Sequence, residues 1–203
     1  MSVRRGVASL MSLPLLLVAM VLALSAPAAS ASVDTVTGGM FSLFVPLSNV
    51  QKLGNAEIFT SPISPAYLTY TLEEGPAVRF PISGGAVESD TMLGTVNSDG
   101  GLSIQKHHPV GTIVKQLDIT NVKILDGNML IGNAQGLVPT PAANLINATH
   151  SKDPITGVIH FEADAQVDAV SATVLNTYFE TSVFEAGMIL GHLKADIQTQ
   201  PLL

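Results

Sequence analysis

The chain has 203 residues, of which 47% are hydrophobic, 12% charged and 5% aromatic, and it contains neither Cys nor Trp. This composition excludes a disordered polymer, and the lack of Cys excludes a disulfide scaffold, a thiol nucleophile and a zinc site with Cys ligands. The formal net charge of −7 argues against a nucleic-acid partner, because an acidic surface repels phosphate groups. We therefore expect one ordered domain with a hydrophobic core.

The first 31 residues are typical of a secretory signal peptide. Two arginines precede an apolar run of roughly a dozen residues ending at Leu24, and the small residues Ala29 and Ala31 suit the signal peptidase. A permanent membrane helix is the alternative, but it needs about 20 apolar residues, and Pro14 interrupts this run. We predict cleavage after Ala31, which leaves residues 32–203 as a single secreted domain without a permanent membrane span.

The predicted domain begins with a strand and a short helix. Apolar residues alternate over 41–47, which predicts a strand with one buried face. Ser48 and Gln51 have the spacing of a helix capping box, so we predict a helix over residues 49–58. The prolines within residues 60–66 predict an irregular link.

The middle of the chain carries turn signals that favour β-hairpins. The Asp-Gly pair within residues 98–101 predicts a hairpin between strands 93–97 and 102–106, because Asp-Gly accepts the positive φ angles of tight hairpin turns. A second Asp-Gly pair at Asp126 predicts another hairpin. Residues 137–150 contain two prolines and are predicted to be irregular.

The last third contains the clearest strand of the sequence. Residues 159–168 alternate apolar and polar side chains, and Asp168 is a good N-cap for a helix whose face would carry Val170, Val174, Leu175 and Phe179. We predict a mainly β fold, an antiparallel β-sandwich-like architecture with two short helices. The predicted core consists of Phe41, Leu43, Val45, Val78, Phe80, Leu102, Ile104, Leu117, Ile119, Phe161, Val167, Leu175 and Phe179.

Several short motifs resemble those of a known secreted protein family. The stretches Val78-Arg-Phe-Pro-Ile-Ser-Gly-Gly85, Leu93-Gly-Thr95 and Gly100-Gly-Leu102 are similar to the FPITGG, LAGT and GGL motifs of a secreted actinobacterial β-rich family. The same order of elements is distantly similar to the haem-transport-associated domains of corynebacterial surface proteins. That resemblance implies a β-rich sandwich outside the cell and suggests haem as a ligand.

The haem-binding domains use an axial Tyr and a supporting His, so the resemblance singles out four residues here. His107 and His108 fall near the position of the supporting His, and Tyr67 or Tyr70 would have to serve as the axial ligand. The alternative is that His107 and His108 form a solvated strand end. Since adjacent strand residues point to opposite faces, the two histidines do not form a zinc site by themselves.

No motif of a common catalytic site is present in the sequence. We find no Gly-x-Ser-x-Gly elbow, no His-Glu-x-x-His pair and no P-loop. His160, Glu162 and Asp164 share one face of the predicted strand, which we interpret as its polar outer surface. The favoured function is a non-catalytic binding module without a cofactor, secreted, extracellular or in the cell wall, with an unknown surface partner or small-molecule ligand. The alternatives are a haem or porphyrin carrier and an envelope hydrolase that acts through carboxylates.

Overall fold

The computed structural model describes residues 32–72, 74–108, 111–134 and 139–201, so the predicted signal peptide, residues 1–31, lies outside the described residues. Within these ranges the chain forms eleven strands and two helices. The strands are β1 (Val33–Phe44), β2 (Ile58–Ile63), β3 (Tyr67–Thr71), β4 (Gly75–Glu88), β5 (Gly94–Ser98), β6 (Gly101–His107), β7 (Ile113–Leu125), β8 (Met129–Ala134), β9 (Pro139–Lys152), β10 (Ile159–Gln166) and β11 (Ile189–Pro201). The helices are α1 (Leu47–Asn55) and α2 (Ala169–Phe179). Neither described helix has the length and apolar character that crossing a membrane requires.

Eight of these strands form a closed antiparallel barrel. Around the ring the order is β1, β4, β5, β7, β8, β9, β10 and β11, and β11 pairs again with β1. The predicted mainly β fold with two helices is confirmed, but the sandwich-like arrangement is wrong. Closure into a ring pairs both edges of these strands. The alternation of apolar and polar residues is the same in a sandwich and in a barrel, so it does not distinguish the two.

The predicted hairpin between β5 and β6 is also wrong. On one side β7 pairs with β8, and on its other side it pairs first with β6 and then, from Lys123 to Leu125, with β5. β5 and β6 are therefore consecutive parts of one interrupted strand. Gly100, with φ +84°, lies in the bend between them. Beyond this bend β6 stays paired with β7 on one side and pairs with β2 on the other. Strands β2 and β6 together form a flap beside the barrel. The second predicted hairpin, at Asp126, is confirmed between β7 and β8.

Two segments predicted to be irregular are strands. Within residues 60–66, the part up to Ile63 belongs to β2, and Pro62 is tolerated there because β2 pairs with β6 and lies at the edge of the sheet. Residues 139–152 form β9, whose prolines stand at its beginning, where a strand best accepts the loss of an N–H donor. Residues 137 and 138 lie outside the described residues.

The first helix begins earlier than the sequence predicts. It starts at Leu47 after Pro46 in the N-cap position, no side chain caps it, and it ends at Asn55. The predicted capping box of Ser48 and Gln51 is therefore wrong. The carbonyl of Pro46 accepts hydrogen bonds from the N–H groups of Asn49 and Val50, so the first turn forms without a side-chain cap.

The second helix confirms its predicted cap and part of its predicted buried face. The Asp168 carboxylate accepts hydrogen bonds from the backbone N–H groups of Val170 and Ser171. Ala172 and Phe179 are the buried residues of α2, whereas Val170 and Val174 are 72% and 57% exposed. The predicted face is therefore confirmed at Phe179 and wrong at the two valines.

The barrel core is centred on an aromatic pair. Phe41 on β1 is fully buried and stacks on Phe80 of the neighbouring β4, with 4.6 Å between ring centroids. The predicted core is confirmed for a set of eight residues: Phe41, Leu43, Val78, Phe80, Ile104, Phe161, Val167 and Phe179. Partial exposure is found for the remaining five predicted core residues: Val45, Leu102, Leu117, Ile119 and Leu175.

A buried ion pair lies at the end of the barrel away from α2. Asp34 is near the beginning of β1, and its carboxylate, 1% exposed, contacts the amino group of Lys152 at the end of β9. The other Asp34 oxygen, Oδ1, has no hydrogen-bond partner among the described residues. Lys152 is therefore the group that compensates this buried charge.

Candidate functional site

A mostly apolar cavity of about 420 Å³ lies between the barrel and α2. Its volume falls within the usual range of small-molecule pockets. Its described lining residues are all apolar except Asp168 and Ser171 at the start of α2. A site of this kind suits a ligand that gains from leaving water more than from specific hydrogen bonds.

Bulky and small side chains together line the cavity. Strands β6 and β7 contribute Leu102, Ile104, Leu117 and Ile119. Strands β8, β9 and β10 contribute the small residues Gly132, Ala134, Ala142, Ala143 and Ala165. Because five of the lining residues are Gly or Ala, the side chains do not fill this part of the interior.

The most exposed residues of the described cavity lining lie on α2. Val170 and Val174 line the cavity and are largely open to solvent, whereas Ala143 and Ala165 are fully buried and Phe80 is nearly so. The cavity therefore has its mouth beside the N-terminal half of α2 and its closed end inside the barrel.

Asp168 is the charged residue at this mouth. Its Oδ1 accepts hydrogen bonds from the N–H groups of Val170 (2.7 Å) and Ser171 (2.8 Å), and its Oδ2 accepts one from the Ser171 hydroxyl (2.8 Å). The hydrogen bonds from Ser171 and Val170 hold the pKa of Asp168 below its usual value. Asp168 is therefore ionised near neutral pH.

We expect the Asp168→Asn variant to lose stability only where Asp168 would be ionised. Because the folded state lowers the pKa of Asp168, its charge stabilises the protein above about pH 4 and ceases to do so as the pH falls through the folded-state value. Near neutral pH the loss should be at most about 1 kcal/mol, since Asn also caps helices. Urea unfolding of both proteins over a pH series tests this; a difference that persists at low pH would contradict it.

A second, shallower cavity of about 340 Å³ lies on the outer face of β10 and β11 and is lined by a charged cluster. We define the outer charged cluster as Glu74, Glu162, Asp164, His192 and Lys194. His192 Nδ1 is 3.0 Å from Asp164 Oδ1, its Nε2 is 3.6 Å from Glu162, and Lys194 bonds Glu74. The hydrogen bond to Glu74 raises the pKa of Lys194.

The predicted polar row of His160, Glu162 and Asp164 does not form a separate site. Glu162 and Asp164 join the outer charged cluster, whereas His160 pairs with Asp196 at 2.7 Å. Hydrogen bonds from Asn147 and His192 lower the pKa of Asp164, so this carboxyl is not prepared to donate a proton at neutral pH. Among the described residues, no three His, Asp or Glu side chains are arranged so that they could hold a metal ion.

The four residues singled out for haem lie outside the apolar cavity. His107 is half-buried at the end of β6 against Phe59, with 4.8 Å between ring centroids, and His108 is exposed. Tyr67 and Tyr70 are exposed on β3. Tyr67 follows Ala66, which lies against Gly100 at the start of β6. His107 is at the other end of this seven-residue strand, about 20 Å away. His107 and Tyr67 therefore lie at opposite ends of β6.

Sequence reasoning found the cavity wall without recognising the cavity. Leu102, Ile104, Leu117, Ile119 and Leu175 were all predicted to be core, and all five line the cavity. The signal that marks the empty space is the series of Gly and Ala at inward positions of three neighbouring strands. The Gly and Ala positions indicate a cavity only once the structure shows that they line the same space as the bulky residues of β6 and β7.

Comparison with known proteins finds a similar fold among solved structures. No sequence profile of a known protein family matches the chain, and no curated protein matches it. Among solved structures, the C-terminal domain of HtaA from Corynebacterium glutamicum is similar with a TM-score of 0.59 and 15% sequence identity. The match covers 82% of this chain and 99% of that domain. At this identity the likeness is one of fold, and the distant resemblance inferred from the motifs is confirmed at that level.

Proposed function

We propose that the protein is a secreted, non-catalytic binding module that holds an apolar small molecule in the cavity between the barrel and α2. The observation that carries this proposal is the cavity itself, with apolar side chains throughout its described lining except Asp168 and Ser171. The signal-peptide pattern of residues 1–31 supports a location outside the cell or in the envelope. The shared fold with an HtaA domain agrees with a binding role.

The physical basis for binding is the hydrophobic effect. Each 100 Å² of apolar ligand surface removed from water contributes about 2.5 kcal/mol, against which stands the loss of ligand freedom. Leu102 and Leu117 are partly exposed lining residues and would lose contact with water at the same time. Apolar surface of the protein, as well as that of the ligand, is therefore removed from water when the cavity is occupied, and both contribute to the free energy of binding.

A neutral apolar fluorophore, N-phenyl-1-naphthylamine, tests the proposal. We expect saturable fluorescence enhancement with the wild-type protein and a loss of affinity of about tenfold in an Ala165→Leu variant, because the larger side chain fills part of the cavity. Thr173→Leu is the matched control, since Thr173 is exposed on α2 and does not line the cavity. Equal binding by the Ala165 and Thr173 variants, both folded by circular dichroism, would refute the proposed site.

Haem is the second candidate ligand, favoured by the fold shared with an HtaA domain. The apolar cavity does not fit it, because its described lining has no His, Tyr, Met or Cys to bind the iron. The residues that the resemblance singles out for haem are His107 or His108 with Tyr67 or Tyr70. An absorbance titration with haemin tests this: a shifted Soret band that is lost in His108→Ala or Tyr67→Phe would support it, and the spectrum of free haemin would refute it.

The hydrolase alternative depends on the carboxylates of the outer charged cluster. Glu162 and Asp164 both contact His192 in that cluster, and the pKa of Asp164 is lowered. If the wild-type protein hydrolyses a substrate, a Glu162→Gln, Asp164→Asn double variant should lose this activity. Hydrolysis at an unchanged rate in the double variant would exclude the mechanism.

A further inference from the structure

The polarity of the cavity determines which end of a bound molecule meets water. The closed end is formed by Phe80, Ala143 and Ala165, which have no polar side-chain atoms and are buried. The mouth, beside Val170 and Val174, also contains the Asp168 carboxylate. An elongated ligand with one polar end would therefore place its apolar chain inside and its head group near Asp168.

The start of α2 is not available to bind an anionic head group. A helix N-terminus normally attracts anions through its free N–H groups and its dipole. Here the N–H groups of Val170 and Ser171 already donate to Asp168, and that of Ala172 donates to the Asp168 carbonyl. An arriving carboxylate would meet a negative charge in place of these donors.

Two described cations, Lys106 and Lys115, are held at the other end of α2. Lys106 donates to the carbonyl oxygens of Phe179 (2.7 Å) and Glu180 (3.1 Å), and Lys115 pairs with Glu180. Eleven helical residues separate that end from Asp168, a distance of about 16 Å. The described lining of the cavity contains no Lys or Arg. The mouth thus has negative charge without a compensating cation in the lining.

We propose, on the basis of the function proposed above, that the ligand is a single-chain amphiphile with an uncharged or cationic head group, and that Asp168 excludes chains ending in a carboxylate. The apolar chain occupies the cavity, and the head group lies at the mouth beside Asp168. The selectivity arises from repulsion between two carboxylates, so it weakens as salt is added.

Three amphiphiles with the same chain test this inference by displacement of N-phenyl-1-naphthylamine near neutral pH and at low salt, below their micelle concentrations. With the wild-type protein, dodecanol and dodecyltrimethylammonium should displace the fluorophore at about tenfold lower concentration than dodecanoate. In Asp168→Asn, dodecanoate should gain several-fold, dodecyltrimethylammonium should weaken, and dodecanol should not change. Asn retains a helix cap, and unchanged dodecanol binding is the internal check that α2 is intact.

Asp164→Asn is the matched control, because it removes a carboxylate from the outer charged cluster rather than from the cavity mouth. It should leave the order of the three amphiphiles as in the wild type. If the fluorophore itself does not bind in the cavity, the proposed function fails. If it binds but none of the three amphiphiles displaces it, the inferred ligand class is refuted while the binding function stands. If dodecanoate binds as tightly as dodecanol to the wild type, or if Asp168→Asn leaves the preference unchanged, the charge selectivity is refuted while the binding function stands.

Discussion

The Phe41→Ala variant should lose about 3–5 kcal/mol of unfolding free energy, the largest effect we expect from a single substitution. Phe41 has no exposed surface and stacks on Phe80 across the β1–β4 pair. Its removal leaves a void in a close-packed interior and deprives Phe80 of its stacking partner. Since domains are commonly stable by only about 5–15 kcal/mol, the loss is about a fifth of the stability or more.

Urea unfolding followed by far-ultraviolet circular dichroism measures this loss. Phe59→Ala is the matched control, because Phe59 is about half exposed and should cost less than about 1 kcal/mol. Phe41→Leu should fall between the two, as a smaller apolar side chain keeps part of the contact. A Phe41→Ala variant no less stable than the Phe59 control would contradict the position of the aromatic pair at the centre of the core.

The second large effect is expected at the buried ion pair. Lys152→Met should cost about 3 kcal/mol, because it leaves the Asp34 carboxylate buried without its compensating charge. The double variant Asp34→Val, Lys152→Met removes both charges and should recover most of the loss, since apolar replacement of a buried pair is often neutral. The two variants together separate the cost of an orphaned charge from the value of the pair.

Lys52→Met provides the same substitution in a solvent-exposed ion pair, with Glu185 at 2.7 Å. It should change the unfolding free energy by less than about 1 kcal/mol. The measurement is again urea unfolding, with all variants at one pH. Equal losses in the Lys152 and Lys52 variants, or a double variant as unstable as Lys152→Met alone, would overturn the role assigned to Asp34.

The elements predicted correctly are those whose signals are local. The alternation of Ile159–Gln166 needs only one buried face, and the Asp168 cap needs only the residues that follow it. The closed ring was not predictable in this way, because ring closure depends on β7 meeting β8 and β5 at once. The Asp-Gly pair before β6 illustrates the same limit: it provides a backbone bend, but whether the next strand folds back or continues depends on its partner β7.

The candidate site shows a similar division between local and distant information. Asp168 was identified as a helix cap from its position, yet its place at the mouth of a cavity depends on the packing of α2 against the barrel. Leu102 and Leu117 have the alternation of ordinary core residues. Nothing in that pattern shows that Ala142 and Gly132 line the same space, so the cavity follows only from the three-dimensional structure.

The position of α2 has a consequence for the rate of ligand exchange. Since the most exposed residues of the described cavity lining lie on this helix, a bound molecule would leave past Val170 and Val174. The helix is held by Lys106 at its C-terminal carbonyls and by the hydroxyl of Tyr178, which donates to the Gln116 carbonyl at 2.5 Å. The residence time of the ligand would then be governed by how often these attachments open, and not by the affinity of the cavity alone.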